Sequence, residues 1–218
     1  MVTDDSSNDL TRDRLLRAAV EVFAQRGLRE ARVREICARA DVNVASVNYY
    51  FRSKEVLYAE ALAFAFRQAD ERYPLDVRSD DQLSPEERLT RFIRNFLQRL
   101  LDDSHLGCHG KLIAREIADP SSALDRIVET TMRPRFKLLQ NIVPQILGPG
   151  WSDKDISRCI HSIIGQCLVY RHSRSLIERL CPEIIATPED IEHTADHIVR
   201  FSLAALRKLS DERKGLQP

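Results

Sequence analysis

The chain has 218 residues, of which 43% are hydrophobic and 30% charged, enough to build a buried core in one or two domains and unlike a disordered, collagenous or membrane-embedded chain. Lys plus Arg equals Asp plus Glu at 33 each, and the resulting net charge of zero excludes a nonspecific polycation or an acidic solvating chain. With 7 Gly and 9 Pro there are few tight-turn signals for an all-β protein, so helices are expected.

In chain order, residues 1–10 are acidic and Ser-rich and read as a flexible tail. From Arg12 to Arg26, Leu15, Leu16, Ala19, Val20 and Phe23 recur at helical spacing behind a Thr11 cap, and Gly27 stands where a left-handed stop is wanted. Val33, Ile36, Cys37 and Ala40 mark a second helix too short to be stable unpacked. Asn43 is a good N-cap for a third, with Val44, Val47 and Phe51 on one face. Ser53 caps a fourth that runs to about Arg72, where Tyr73-Pro74 stops it, and 75–84 reads as a connector. Further helices are expected over Pro85–Leu101, Lys111–Ala118, Ser121–Leu147 with a kink at Pro134, Asp153–Arg179 and Pro188–Leu209, followed by a flexible tail over 210–218. The fold class is all-α, with a small N-terminal three-helix unit and a larger C-terminal helical domain.

The second and third helices, joined by a tight turn, have the form of a helix-turn-helix whose second member enters the DNA major groove. Turning its apolar stripe inward points Ala45, Ser46 and Tyr49 outward, small residues that allow close approach to base edges and a hydroxyl that reaches a phosphate. Between Thr11 and Lys54 lie ten cationic and five acidic side chains, a local basic field suited to phosphates, although a solvated face gives the same count. Lys54 sits at a helix N-terminus against the dipole, so an anion is expected nearby: either Glu55 or a DNA phosphate.

The string VNVASVNYYFRSKEVLY, from Val42 to Tyr58, closely resembles the end of the TetR-family DNA-binding domain. The resemblance spans Thr11 to about Ala63 through Phe23/Gly27, Val33-Arg34-Glu35-Ile36, Tyr49-Tyr50-Phe51 and Ser53-Lys54-Glu55. It implies a DNA-binding domain over 11–63, an effector-binding and dimerisation domain over 64–209, and a homodimeric, ligand-responsive regulator. The regulator is expected to be a repressor that leaves a palindromic double-stranded DNA operator when a small molecule binds. The family pattern puts Arg32, Asn43, Ala45, Ser46, Asn48, Tyr49 and Lys54 at contact positions. Two departures stand out: Ala31 where the family often has a Thr cap, and Asp41 where it often has a turn Gly. Asn48, beside the apolar stripe, is either a base reader or a local backbone partner.

In the larger half, Ile156, Ile160, Ile163, Ile164, Cys167 and Leu168 form a stripe flanked by Ser162 and Gly165, and Phe201 lies on the last helix. Paired across two subunits, Ile156, Ile160, Ile163, Ile164, Cys167 and Phe201 would make a four-helix dimer interface, while packing within one subunit explains the same stripe. Residues 110–148, with Arg115-Glu116-Ile117-Ala118-Asp119-Pro120 and Met132-Arg133-Pro134, also resemble a CerR-type C-terminal domain. An effector cavity is expected to be lined by Phe64, Phe96, Arg115, Met132, Phe136, Gln166 and Tyr170, each apolar member being equally readable as core.

Five widely spaced cysteines form no paired motif and read as reduced, with Cys37, Cys159 and Cys167 as small buried hydrophobes. His193 and His197 are four apart, and His105, Cys108 and His109 cluster in a linker, but neither set completes a convincing metal site, and no metal or cofactor is expected. No catalytic or phosphate-loop motif occurs, so the chain is not read as an enzyme; an all-α enzyme and a helical adaptor that binds protein are the competing classes. No apolar run reaches the roughly 20 residues of a membrane span and the start lacks a basic-then-apolar leader, so no membrane partner and a cytoplasmic location are expected.

Overall fold

The computed structural model describes residues 3–75, 82–102 and 108–215, and among these every regular element is helical. The helices are α1 (Thr3–Glu30), α2 (Val33–Ala40), α3 (Val44–Phe51), α4 (Lys54–Arg72), α5 (Pro85–Leu101), α6 (Cys108–Ala118), α7 (Ala123–Ile127), α8 (Arg133–Leu147), α9 (Asp153–His172), α10 (Arg174–Leu180) and α11 (Pro188–Lys214). None of the described helices is long and apolar enough to cross a membrane.

The chain divides into two compact units, one of Met1–Arg72 with Asp102–Glu129, the other of Tyr73–Leu101 with Thr130–Pro218. The boundary expected after residue 63 falls inside helix α4 of the first unit. Helix α4 runs through it with Leu62, Phe64 and Ala65 all buried, so cutting there would bisect a packed helix.

In the first unit Leu15, Leu16, Ala19, Phe23, Ile36, Val47, Phe51, Leu57 and Leu62 are buried, and the Phe23 ring meets Tyr58 edge-on at 4.9 Å. Helix α1 starts at Thr3, so most of the expected tail is helical, and the Tyr50 hydroxyl donates to the Asn8 side-chain oxygen, holding that turn to α3. Gly27 interrupts α1 as its position predicts, at φ 76°, but one further turn follows to Glu30. Helices α6 and α7 join this unit through a buried carboxylate. Glu116, 2% exposed, accepts from the Tyr58 hydroxyl at 2.7 Å and from the Ser121 N–H and hydroxyl at 2.9 Å each. Burial and that carboxylate together raise the Tyr58 phenol far above its ordinary value.

The second unit packs Leu89, Phe92, Ile93 and Leu97 of α5 with Leu139, Ile142 and Val143 of α8, Ile160 and Ile163 of α9, and Ile198 and Leu206 of α11 in one core. The helix expected over 121–147 is broken into α7 and α8 by a wider turn at Val128–Met132. Pro134 has no N–H to continue the ladder, so the irregular turn falls just before it and the proline occupies the first turn of α8. Ser173 separates α9 from α10, which the sequence reads as one helix. Helix α11 is opened by a reciprocal Thr187/Asp190 cap and continues past the expected end at Leu209, with Ser210 buried.

Candidate nucleic-acid interface

Helix α3 is eight residues long and could not persist alone, so its placement depends on its ends and its buried side. The Asn43 side-chain oxygen accepts from the Ala45 N–H at 3.0 Å and closes the N-terminus. Before it, Asp41 takes the left-handed turn at φ 52°, ψ 56°, doing without the glycine that the family pattern favours. Arg14 braces that turn, its guanidinium donating to the Ala40 carbonyl at 2.5 and 3.0 Å and to the Asp41 carbonyl at 2.6 Å. The missing Thr cap at residue 31 has no consequence of the expected kind: the capping position of α2 is Arg32, and Ala31 is buried.

Only Val47 and Phe51 of α3 are buried, each 1% exposed. Val44, read from the pattern as part of the same stripe, is 41% exposed because it lies on the first turn, beyond the reach of the core. Ala45, Asn48 and Tyr49 are exposed, Tyr49 at 75%, and Ser46 is half-buried. Asn48 therefore lies on the outer face, though its carbonyl accepts from the Arg52 N–H at 3.3 Å.

The cation expected to need an anion, Lys54, has found carbonyls: its ammonium donates to Arg29 O at 3.2 Å and Ala31 O at 3.4 Å, at the end of α1. Neither Glu55 nor a phosphate is required to explain it. Most of the other cations in this segment are also engaged internally. Arg12 pairs with Glu60 at 3.0 Å, Arg26 with Glu35 at 3.7 Å, Arg29 with Asp119 at 3.2 Å and Arg39 with Glu21 at 3.0 Å, while Arg17 lies over the Phe64 ring. Among the described residues the side chains of Arg32, Arg34 and Arg52 have no such partner, and all three are exposed. Sequence reasoning placed Arg32 at a contact position but counted Arg34 and Arg52 only within the basic field, because charge alone does not tell an internally paired arginine from an unpaired one.

The seven lining candidates are divided between the two units. Phe64 and Arg115 belong to the first: Phe64 is buried between the guanidinium groups of Arg17 and Arg67, and Arg115 is exposed, donating to the Gln25 carbonyl at 3.4 Å beside Gly27. Phe96, Met132, Phe136, Gln166 and Tyr170 belong to the second, where Phe96, Phe136 and Tyr170 pack partly buried on the core and Gln166 donates to the Ser202 hydroxyl at 3.2 Å.

The dimer list needs correction. Ile156, Ile160, Ile163 and Cys167 are buried within the chain's own core, and burial pushes the Cys167 thiol up to about 12. Ile164 is half-buried and Phe201 is 60% exposed. The surface that α9 and α11 leave open carries His161, Ser162, Gly165, Val169, His197 and Phe201. Of the residues weighed as metal ligands and set aside, His193 and His197 are exposed and join no metal-holding cluster among the described residues. His105 and the side chains of Cys108 and His109 lie outside the described residues. Cys37 and Cys167 are buried as expected, while Cys159 is only half-buried.

Comparison with known proteins gives two family matches. The model for bacterial regulatory proteins of the tetR family matches residues 15–61, and that for the C-terminal domain of the HTH-type transcriptional dual regulator CecR matches 85–206. The second is wider than the 110–148 likeness read from the sequence and corrects its name from CerR to CecR. The CecR regulator of Shigella flexneri is 30% identical over 172 residues, 75% of this chain and 76% of its own length. The HTH-type transcriptional repressor NicS of Pseudomonas putida is 32% identical over 114 residues, 47% of this chain and 53% of its own. Among solved structures, FadR of Bacillus subtilis in complex with stearoyl-CoA aligns at TM-score 0.67 and 17% identity, over 88% of this chain and 97% of that one. A TetR-like regulator from Rhodococcus sp. RHA1 aligns at TM-score 0.62 and 20% identity, over 90% and 95%. At these identities the two structures speak to the fold alone. A tetR-type helix-turn-helix followed by a CecR-type domain that spans more than half of the sequence establishes that this chain belongs to the TetR family of transcriptional regulators.

Proposed function

We propose that the chain binds a palindromic double-stranded DNA operator as a homodimer, represses from it, and leaves it when a small-molecule effector binds. The observation that carries this reading is the outer face of α3: Ala45, Asn48 and Tyr49 stand exposed on a helix fixed by Val47, Phe51 and the Asn43 cap. Ala45 and Ser46 are small enough for base edges and thymine methyls to come close, Asn48 can pair with an adenine edge, and Tyr49 reaches a phosphate. Arg32 and Arg34 supply unpaired charge at the start of α2, and Asn43, its oxygen spent on the cap, offers its amide hydrogens. Lys54 has one ammonium hydrogen left for a phosphate after its two carbonyl bonds.

The dimer is formed by the open face of α9 and α11, where Gly165 carries no side chain and faces open space among the described residues, permitting close helix approach, with Phe201 as the apolar anchor. Of the effector candidates, Phe96, Met132, Phe136, Gln166 and Tyr170 share the second unit and are the ones we assign to the effector. The effector acts through its differential affinity for the DNA-binding and non-binding arrangements of the dimer. A regulator of this kind works in the cytoplasm, where the DNA is.

The test is selection of genomic fragments by the purified chain, followed by titration of the winning fragment against salt. A single enriched palindrome and an affinity that falls steeply with salt are expected. Recovery of no sequence above background would sink the proposal.

A further inference from the structure

Arg52 stands between α3 and α4 in a conformation that ordinary side chains avoid. Its φ is 62° and its ψ −40°, and the Ser53 N–H donates to the Phe51 carbonyl at 2.7 Å, two residues back. This is a three-residue γ-turn of the positive-φ kind, which is rare and strained, and glycine is the residue that adopts positive φ at no steric cost. Asp41, the other described non-glycine residue at positive φ, is of a type that tolerates the left-handed region; arginine is not.

Nothing among the described residues accounts for that choice. The Arg52 side chain is exposed and has no hydrogen-bond, ion-pair or ring partner among the described residues, so folding gains nothing from its guanidinium. Its position relates it to the nucleic-acid face instead. Arg52 N still donates to the Asn48 carbonyl, which keeps its Cα in register with the exposed Asn48 and Ala45, one and two turns earlier. The next cation along, Lys54, is committed to two carbonyls.

We propose that Arg52 is a phosphate-binding residue of the DNA interface, and that the strained turn is the cost of placing a guanidinium at the end of α3 where glycine would fold better. This rests on the DNA-binding reading above. Strain without internal benefit is the signature of a residue held for an external partner.

The experiment compares the full-length wild type with Arg52→Gly, Arg52→Ala and Arg52→Lys in two measurements. One is the thermal unfolding midpoint; the other is affinity for one fixed mixed-sequence DNA duplex over a salt series. Arg52→Gly is expected to raise the midpoint above wild type, to bind about tenfold more weakly at about 0.1 M salt, and to lose about 0.9 from the log–log salt slope. Arg52→Ala should bind as weakly as Arg52→Gly without the gain in midpoint, and Arg52→Lys should keep both the slope and the wild-type midpoint. An Arg52→Gly protein with wild-type affinity and slope overturns the phosphate role while leaving DNA binding intact. An Arg52→Gly midpoint at or below that of wild type overturns the strain argument. A wild type that binds no duplex even at low salt sinks the DNA-binding reading itself and this role with it.

Discussion

Helices α3 and α9 each carry an apolar stripe, and each turns it into the core of its own unit. They differ in what the remaining faces present. On α3 the open side offers Ala45, Asn48 and Tyr49 beside Arg52, which has no partner among the described residues, a mixture suited to bases and phosphates. On α9 it offers His161, Ser162, Gly165 and Val169, and α11 adds Phe201, a mixture suited to another helix. In both units the stripe measures how a helix is held, and the residues available to a partner are on the opposite side.

That comparison is open to attack, beginning with the substitutions of largest effect. Phe51→Ala removes a buried ring that anchors one end of α3 and is expected to cost about 3–5 kcal/mol, read by chemical denaturation. DNA binding should fall with it, because a short helix without its anchor does not hold a reading face. Ile160→Ala, on the corresponding side of α9, should cost about 2–5 kcal/mol. The subunit stoichiometry of its folded fraction, followed by sedimentation at fixed concentration, should stay unchanged. A stable Ile160→Ala protein that had become monomeric would return this stripe to the interface.

Tyr58→Phe takes one donor from the buried Glu116 carboxylate and is expected to cost about 1.5–3 kcal/mol of stability, since bonds to charged groups are worth about that much. An unchanged denaturation midpoint would mean that the carboxylate is satisfied without the phenol. The smallest change in stability belongs to Phe201→Ala, within about 0.5 kcal/mol because the ring is 60% exposed. Its effect should appear instead as a dimer that dissociates at higher protein concentration than wild type.

Helices α2, α3 and α4 were legible because their ends are written locally, whereas α1 begins at Thr3, ahead of the expected Thr11 cap. Asn43 caps α3, Asp41 supplies a left-handed turn, and Gly27 interrupts α1 where a stop was expected. Pairings across long stretches of sequence were not legible. Nothing in the string shows that Glu116 meets Tyr58, 58 positions earlier, or that Lys54 reaches the carbonyls of Arg29 and Ala31. The Arg52 turn was hidden for a related reason: arginine there gives no sign of positive φ, where a glycine would have announced it. The dimer stripe went astray because periodicity marks apolar residues and does not say which apolar neighbour covers them.

The route of the chain has a practical consequence. It leaves the first unit after Arg72 and comes back at Asp102 to contribute α6 and α7, so the DNA-reading headpiece is not a contiguous cassette. A fragment ending at residue 72 would leave the Tyr58 phenol without its acceptor and bare the side of α4 that α6 covers. Grafting this headpiece onto a foreign sensor therefore calls for three splice points rather than one, after 72, before 102 and after 129, with 102–129 travelling alongside the helix-turn-helix.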